Sequence, residues 1–327
     1  MGEPAGIGGE IALKAWLQRE QAQVPPFFVI DDVARLGALA ATLGLPVPIQ
    51  SIDTPSAAAS AFTLALPVMP RPLPVPVTPG HPDPRNNQAV IAAIETAVAI
   101  VRRGLASAVV TNPIHKKVLY DSGFGFAGHT EFLAALAGFD VQPVMMLVCP
   151  ELKVVPVTVH VSLRQAVETL RTGAIVHAGL VTATALERDF GVRRPRLAVA
   201  GVNPHAGEDG AMGDEDGTVV SPAVDILCGH GIDAFGPLPP DTLFSPHVRR
   251  GYDAALCMYH DQALIPLKAL DFDGGVNVTL GLPFIRTSPD HGTALDIAGS
   301  GRANAASLVA ALRLAGQLAA RRSRSST

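Results

Sequence analysis

The stretch NQAVIAAIETAVAIVRRGLASAVVT, residues 87–111, carries two periodicities in succession. Val90, Ile91, Ile94, Ala97, Val98 and Val101 fall at helical spacing and predict an apolar stripe on a helix. Arg102 and Arg103 close the last turn, and Gly104 is a natural residue to end it because it adopts the left-handed conformation without penalty. Residues 108–111, Ala-Val-Val-Thr, then read as a buried strand. A helix feeding a buried strand is the repeating step of an α/β fold.

Outward from this unit the alternation continues. Strands are expected at 154–159, 197–202, 254–258 and 276–280. A helix follows the first of them, opened by Ser162 with Gln165 three residues on, a capping-box spacing. Residues 67–84 are rich in proline and read as an extended connection, and 321–327 as a fraying tail. The chain opens on Gly2-Glu3-Pro4-Ala5-Gly6-Ile7-Gly8, a turn-rich loop with no strand ahead of it, which implies either a late start or a lost sheet edge. No internal repeat and no sharp linker is visible.

Bulk properties bound the function. With 48% apolar and 17% charged residues over 327 positions, the chain can bury a large core and does not have the composition of a disordered one. A formal net charge of −4 gives no reason to expect nucleic acid or an anionic membrane as partner. Mean hydropathy is +0.30, yet the most apolar region, 57–77, is broken by Pro67, Pro70, Arg71, Pro72, Pro74 and Pro76, so no spanning helix is expected. Cys149, Cys228 and Cys257 are odd in number and far apart, which suits reduced thiols, and no secretory signal is visible. A cytoplasmic protein is expected.

Three histidines stand where chemistry is expected. His160, His205 and His260 each lie at or just past the carboxyl end of an expected strand, the edge where open α/β sheets bind ligands. Two readings stay open on the residues alone: separate histidines satisfied by local hydrogen bonds, or one divalent-metal site with open positions. His129, in Gly128-His129-Thr130-Glu131, opens a further helix; its free amides suit an anion, and the plain alternative is an ordinary helix start with a polar cap. The loop Gly6-Ile7-Gly8-Gly9-Glu10 lacks the glycine spacing and preceding strand of a Rossmann fingerprint, so that fold is rejected. Lys268, Asn277, Arg286, Thr287, Ser288, Asp290, His291 and Asp296 gather polar groups among glycines, with Lys268 and Arg286 suited to a carboxylate or phosphate. Asp241 and Asp261 are candidate carboxylates behind a metal ligand or candidate bases.

At these residues a resemblance becomes visible. Thr111-Asn112-Pro113-Ile114, Gly128-His129-Thr130-Glu131-Phe132, Asn203-Pro204-His205-Ala206-Gly207-Glu208, Tyr259-His260-Asp261-Gln262 and the run from Gly275 to Ser288 resemble the 4-hydroxythreonine-4-phosphate dehydrogenase family, PdxA, of vitamin B6 biosynthesis. The resemblance implies a two-lobed α/β/α fold like that of isocitrate and isopropylmalate dehydrogenases, with the active site in the interlobe cleft. It implies a cofactor-side lobe of 1–125 with 275–327 and a metal-binding, dimerising lobe of 126–274. By the same resemblance His160, His205 and His260 are metal ligands at the subunit interface of a homodimer, and the metal is zinc, magnesium, cobalt or manganese. His129, Thr130, Lys268, Asn277 and Arg286 bind substrate. His291, Gly292, Thr293, Ala294 and Asp296 resemble the loop that takes NAD or NADP in the isocitrate enzymes. Glu3 stands where the family usually has aspartate.

The reaction so implied is NAD-dependent oxidation of 4-phosphooxy-L-threonine to 2-amino-3-oxo-4-phosphooxybutanoate, which loses carbon dioxide to give 3-amino-2-oxopropyl phosphate. Lys268 is the expected base if its surroundings favour the neutral amine, with Asp241 and Asp261 as rivals. The alternatives are a related dehydrogenase acting on phospho-erythronate, phospho-threonate or an aromatic cis-dihydrodiol; a hydrolase using the same three histidines; and a phosphate-binding protein without redox chemistry.

Overall fold

The computed structural model describes residues 1–121, 123–126, 128–138 and 142–325. The chain is mixed α/β and divides into two compact units, one of Met1–Val141 with Leu282–Ala319, the other of Gln142–Gly281 with Ala320–Thr327. Against the expected divisions at 126 and 275, the chain changes unit at 142 and 282. Phe132, Leu133 and Ala137 explain the first shift, because they enter one apolar cluster with Val90, Ile94, Val98, Val109 and Phe284.

In the first unit, β1 (Val29–Asp31), β2 (Ile49–Ser51) and β3 (Leu66–Pro70) form a parallel sheet in the order β1-β3-β2. β3 falls inside what reads in sequence as the proline-rich connection. Leu66 and Val68 are completely buried in the unit's core, and that burial outweighs the N–H missing at Pro67. Ile11, Leu13, Trp16 and Leu36 pack on the same core. The helix Asn87–Arg102 buries Val90, Ile94, Val98 and Val101 as its spacing predicts, and Gly104 is left-handed at φ 71°. β4 (Ala108–Val110) pairs in parallel with β11 (Ile285–Pro289), Arg286 opposite Val109.

The second unit holds β5 (Val144–Cys149), β6 (Leu152–Pro156), β7 (Arg196–Ala200), β8 (Asp233–Leu238), β9 (Ala254–Cys257) and β10 (Val276–Leu280), in the order β10-β5-β6-β9-β7-β8. The β10-β5 and β5-β6 pairs are antiparallel; β6, β9, β7 and β8 run parallel. Val154, Val155, Ala198, Val199, Ala200 and all of β9 are fully buried, as strands covered on both faces must be. Helices Thr172–Arg188 and Ser221–Gly229 pack together at Gly179, where an added Cβ would lie 2.6 Å from Leu227. The Ser162 hydroxyl accepts from Gln165 N at 3.2 Å and caps the helix Leu163–Thr169.

Residues 326 and 327 lie outside the described residues; of the tail expected to fray, 321–325 is helical, the end of the single helix Ala306–Ser325. Within the second unit its last turns are held by Arg322, whose Nε and Nη2 each donate to Asp189 at 2.7 Å. Burial pushes the Asp189 carboxyl up, but the Arg188 and Arg322 guanidiniums outweigh it and hold the group below its ordinary value.

Candidate functional site

The parallel strands β6, β9 and β7 are neighbours in that order, so their carboxyl ends share one edge of the second unit's sheet. His160, His260 and His205 follow them in turn. The rings of His160 and His260 have centroids 6.0 Å apart. His260 opens the helix His260–Leu270, and its Nδ1 lies 2.7 Å from Asp261 Oδ1. A proton on that nitrogen would leave Nε2 as an electron-pair donor. His205 is exposed on the turn after β7.

Polar side chains tie these three strand ends to one another. Thr158, after β6, donates its hydroxyl to Met258 O at 2.7 Å. Buried Gln262 accepts from Met258 N at 2.6 Å and donates to Gly201 O at 2.7 Å, joining the end of β9 to that of β7. Beyond Gly201 the chain enters a left-handed run, His205 to Asp209, with φ between 42° and 82°. L-residues resist that conformation by about 1–2 kcal/mol each, so the turn must be held from outside. Asp216, 2% exposed, accepts from Val202 N at 2.7 Å, Asn203 N at 3.1 Å and Asn203 Nδ2 at 3.0 Å. His160 is also left-handed, at φ 45°.

Among the described residues, no group of three or more His, Cys, Asp or Glu side chains closes around one point within the chain. The donors nonetheless fit a divalent cation in kind: imidazoles, two of them in ring contact, with a carboxylate behind one.

In the first unit, cationic groups surround His129. Its Nε2 is buried and has no hydrogen-bond partner among the described residues. Burial, then the charges of Arg286, the Met1 amino group and Lys116, hold its pKa well below 6.5, so the ring is neutral. Arg286 is 4% exposed on β11 and donates to Thr111 Oγ1 from Nη2 at 2.7 Å and from Nε at 3.2 Å. Burial lowers this guanidinium to about 10, which leaves it charged. A Cβ on Gly128 would lie 3.3 Å from Lys116 Nζ, so Lys116 reaches the start of the helix His129–Ala137. Thr130 is half-buried in its first turn. Glu131 Oε2 stands at the same point, 3.2 Å from the Gly128 Cβ position, so a buried guanidinium, a lysine beside a carboxylate and the first helix amides make a polar basin suited to an anion.

The segment from His291 to Asp296 packs on the N-terminal glycine loop. Ile7 N donates to Thr293 O at 3.1 Å, and Gly80 approaches so closely that a Cβ would lie 2.9 Å from Leu295 O. His291 Nδ1 is 3.0 Å from Gly292 O, and its Nε2 is buried with no partner among the described residues. Ala294 is left-handed, while Gly292 and Asp296 are exposed. Asn112 donates to Gly8 O at 3.2 Å, and its buried Oδ1 has no partner among the described residues. Glu3 is buried beneath the loop; burial raises its carboxyl, although the Ala5 N–H donates to it at 3.0 Å.

Lys268, Asp241 and Asn277 belong to the second unit. Lys268 lies two turns along its helix from His260, roughly 12 Å by helix rise, with Nζ 5.7 Å from the Phe272 ring centroid. Asp241 is exposed on the short helix Pro240–Leu243, which packs against the His205 turn. Asn277 is half-buried on β10 with its Oδ1 unpartnered among the described residues. Sequence reasoning missed Thr111, Lys116, Gln262 and Asp216. Thr111 and Gln262 stood inside quoted motifs; Lys116 and Asp216 carried no local signal.

Comparison with known proteins adds the following. The family model described as "Pyridoxal phosphate biosynthetic protein PdxA" matches residues 23–315. The chain is 54% identical to a 4-hydroxythreonine-4-phosphate dehydrogenase of Bradyrhizobium diazoefficiens, over 98% of this chain and 96% of that protein. A crystal structure of the Klebsiella pneumoniae 4-hydroxythreonine-4-phosphate dehydrogenase superposes with a TM-score of 0.88 at 40% identity, covering 98% of each chain. A terephthalate 1,2-cis-dihydrodiol dehydrogenase from Burkholderia xenovorans is more distant, at 27% identity and a TM-score of 0.64 over 97% of this chain and 96% of the other.

Proposed function

We infer the reaction from one premise: the chain belongs to the PdxA family of pyridoxal phosphate biosynthesis. It is an oxidoreductase, and its substrate is 4-hydroxythreonine 4-phosphate, as in the relatives of that name. The observation that carries the phosphate is the basin around His129, where Arg286, Lys116 and the helix amides converge. The cis-dihydrodiol of terephthalate, the substrate named for the more distant relative, offers carboxylates in place of a phosphate, so the dephosphorylated-substrate control separates the two readings.

We assign His160, His205 and His260 to a divalent metal, shared between two copies of the chain. Apolar side chains exposed near each histidine support a second copy: Val161 and Leu163 after His160, Met212 after the His205 turn, and Ile265 after His260. Asp261 holds the His260 ring. His291, Gly292, Thr293, Ala294 and Asp296 take NAD or NADP, and Asn277 and Thr130 join His129 and Arg286 on the substrate. When bound, the cation supplies Lewis acidity and the nicotinamide a hydride acceptor. Lys268 takes the hydroxyl proton, with Asp241 as its rival; Asp261 is engaged on His260. Loss of hydride and proton leaves a ketone β to the carboxylate, and that acid sheds carbon dioxide to give the amino-ketone phosphate. Free thiols at Cys149, Cys228 and Cys257 fit a cytoplasmic setting, and no helix among the described residues is long and apolar enough to cross a membrane.

The test is a steady-state assay with 4-hydroxythreonine 4-phosphate, NAD or NADP, and a metal series against a chelator control. Expected is metal-restored NADH formation that disappears with the dephosphorylated substrate. Equal turnover without the phosphate would sink the substrate assignment, and turnover indifferent to chelation would sink the metal.

A further inference from the structure

We propose that Asp216 is the positioning residue of the His205 turn: its carboxylate holds the backbone just upstream of His205, with Gly207 packed close to it downstream, and fixes the direction in which that imidazole is offered to a divalent cation. This rests on the reading of His205 as a metal ligand.

Three observations converge on Asp216. It is almost completely buried, and its oxygens are engaged by N–H donors of the turn, not by a cation: Val202 N on Oδ1, Asn203 N and Asn203 Nδ2 on Oδ2. Buried carboxylates ordinarily demand such full compensation. The donors lie just upstream of His205, between β7 and the turn. Glycines leave room for that carboxylate before and after His205: a Cβ at Gly201, upstream, would stand 2.9 Å from Asp216 Oδ1, and one at Gly207, downstream, would stand 3.2 Å from Oδ2. The hydrogen bonds thus hold the upstream side of His205, and the downstream side packs close to the same anion.

The second observation is the backbone itself. His205 is left-handed at φ 54°, ψ 23°, within a run that continues to Asp209. Single non-glycine residues are uncommon there, and a run of five successive left-handed residues needs support from its surroundings. Released from Asp216, the turn would relax toward right-handed or extended conformations and the imidazole would swing with it.

The third is the second grip on Asn203. Its Nδ2 also donates to Glu215 Oε2 at 2.8 Å, so Asn203 is clamped by two successive carboxylates. The effect of this network on the chemistry would pass through His205.

The experiment compares Asp216→Asn, Asn203→Ala and His205→Ala with wild type, each as purified full-length protein stripped of metal and titrated with Co²⁺. Asp216→Asn keeps the size but places an NH₂ where an acceptor is needed. Expected is Co²⁺ binding weaker by roughly 10- to 100-fold, the range for groups that orient metal ligands. The visible Co²⁺ band should be altered and the melting temperature should stay within a few degrees of wild type. Asn203→Ala should shift affinity the same way by less.

Wild-type affinity and spectrum in Asp216→Asn, with His205→Ala impaired, would overturn this proposal and leave the metal reading standing. Wild-type Co²⁺ binding in His205→Ala would remove both. If Asp216→Asn does not fold, Asn203→Ala decides: a folded Asn203→Ala protein with unchanged affinity and spectrum overturns the proposal, as does loss of binding only in step with unfolding in both variants.

Discussion

The imidazoles of His160 and His260 lie 6.0 Å apart, centroid to centroid, beyond the carboxyl ends of two strands that pair in parallel. Val157 N donates to Cys257 O at 2.8 Å and Thr158 to Met258 O at 2.7 Å, so the pairing continues toward the two rings. The backbone that leads to each histidine is held by strand pairing and not by the imidazoles.

From that independence follows the first prediction. His260→Ala should leave melting nearly unchanged, because the ring is partly exposed. It should lower metal-dependent kcat/KM by at least about 10³-fold, given the several kcal/mol a catalytic cation supplies. Asp261→Asn should cost less, about 10- to 100-fold. NADH formation across a metal titration checks both, and a fully active His260→Ala enzyme would contradict the assignment.

Thr111→Val removes the acceptor of two Arg286 donors while keeping the side chain's shape. A buried group stripped of a partner loses about 1–3 kcal/mol, measurable by urea unfolding. KM for the phosphorylated substrate should rise more than kcat falls. An unchanged KM would detach Arg286 from the phosphate.

His129 gives a pH signature. Its folded-state pKa is lowered by burial first, then by Arg286, the Met1 amino group and Lys116. Below 6.5, the ordinary value, the unfolded chain takes a proton that the folded ring refuses. Stability contributed by the neutral ring is therefore complete above 6.5 and falls as the pH drops below it, by up to about 1.4 kcal/mol per unit. His129→Asn should lack this part of the slope. Urea titrations of both proteins from about pH 8 to pH 5 test it; parallel profiles would be the contrary result.

Ile265 is 65% exposed on the helix that His260 opens. If a second copy covers it, Ile265→Asp should shift sedimentation toward the monomer and weaken Co²⁺ binding together. A variant that stays dimeric with full affinity would move the interface elsewhere.

Much of the fold was legible where one local pattern dominated. Helix Asn87–Arg102, the Ser162 cap and strands β7, β9 and β10 follow from periodicity and capping. β3 was hidden because Pro67 and Pro70 signal against a strand, while the burial of Leu66 and Val68, a long-range effect, decides for it. The tail was misread because Asp189, which holds Arg322, is remote in sequence. At the site, strand-end positions picked out the histidines, and the motifs that carry the family resemblance supplied the proposed substrate groups. Asp216 stayed invisible: a lone carboxylate in an acidic stretch looks like solvated surface until the left-handed turn it grips is seen.

Because β6, β7 and β9 are separated by long connections, no short contiguous fragment of this protein contains all three imidazoles. The proposed donor set would come into being only with the assembled sheet, so its integrity would be collective. Loosening any one strand would displace the histidine that follows it, and amide hydrogens along all three should exchange with solvent in a single shared opening.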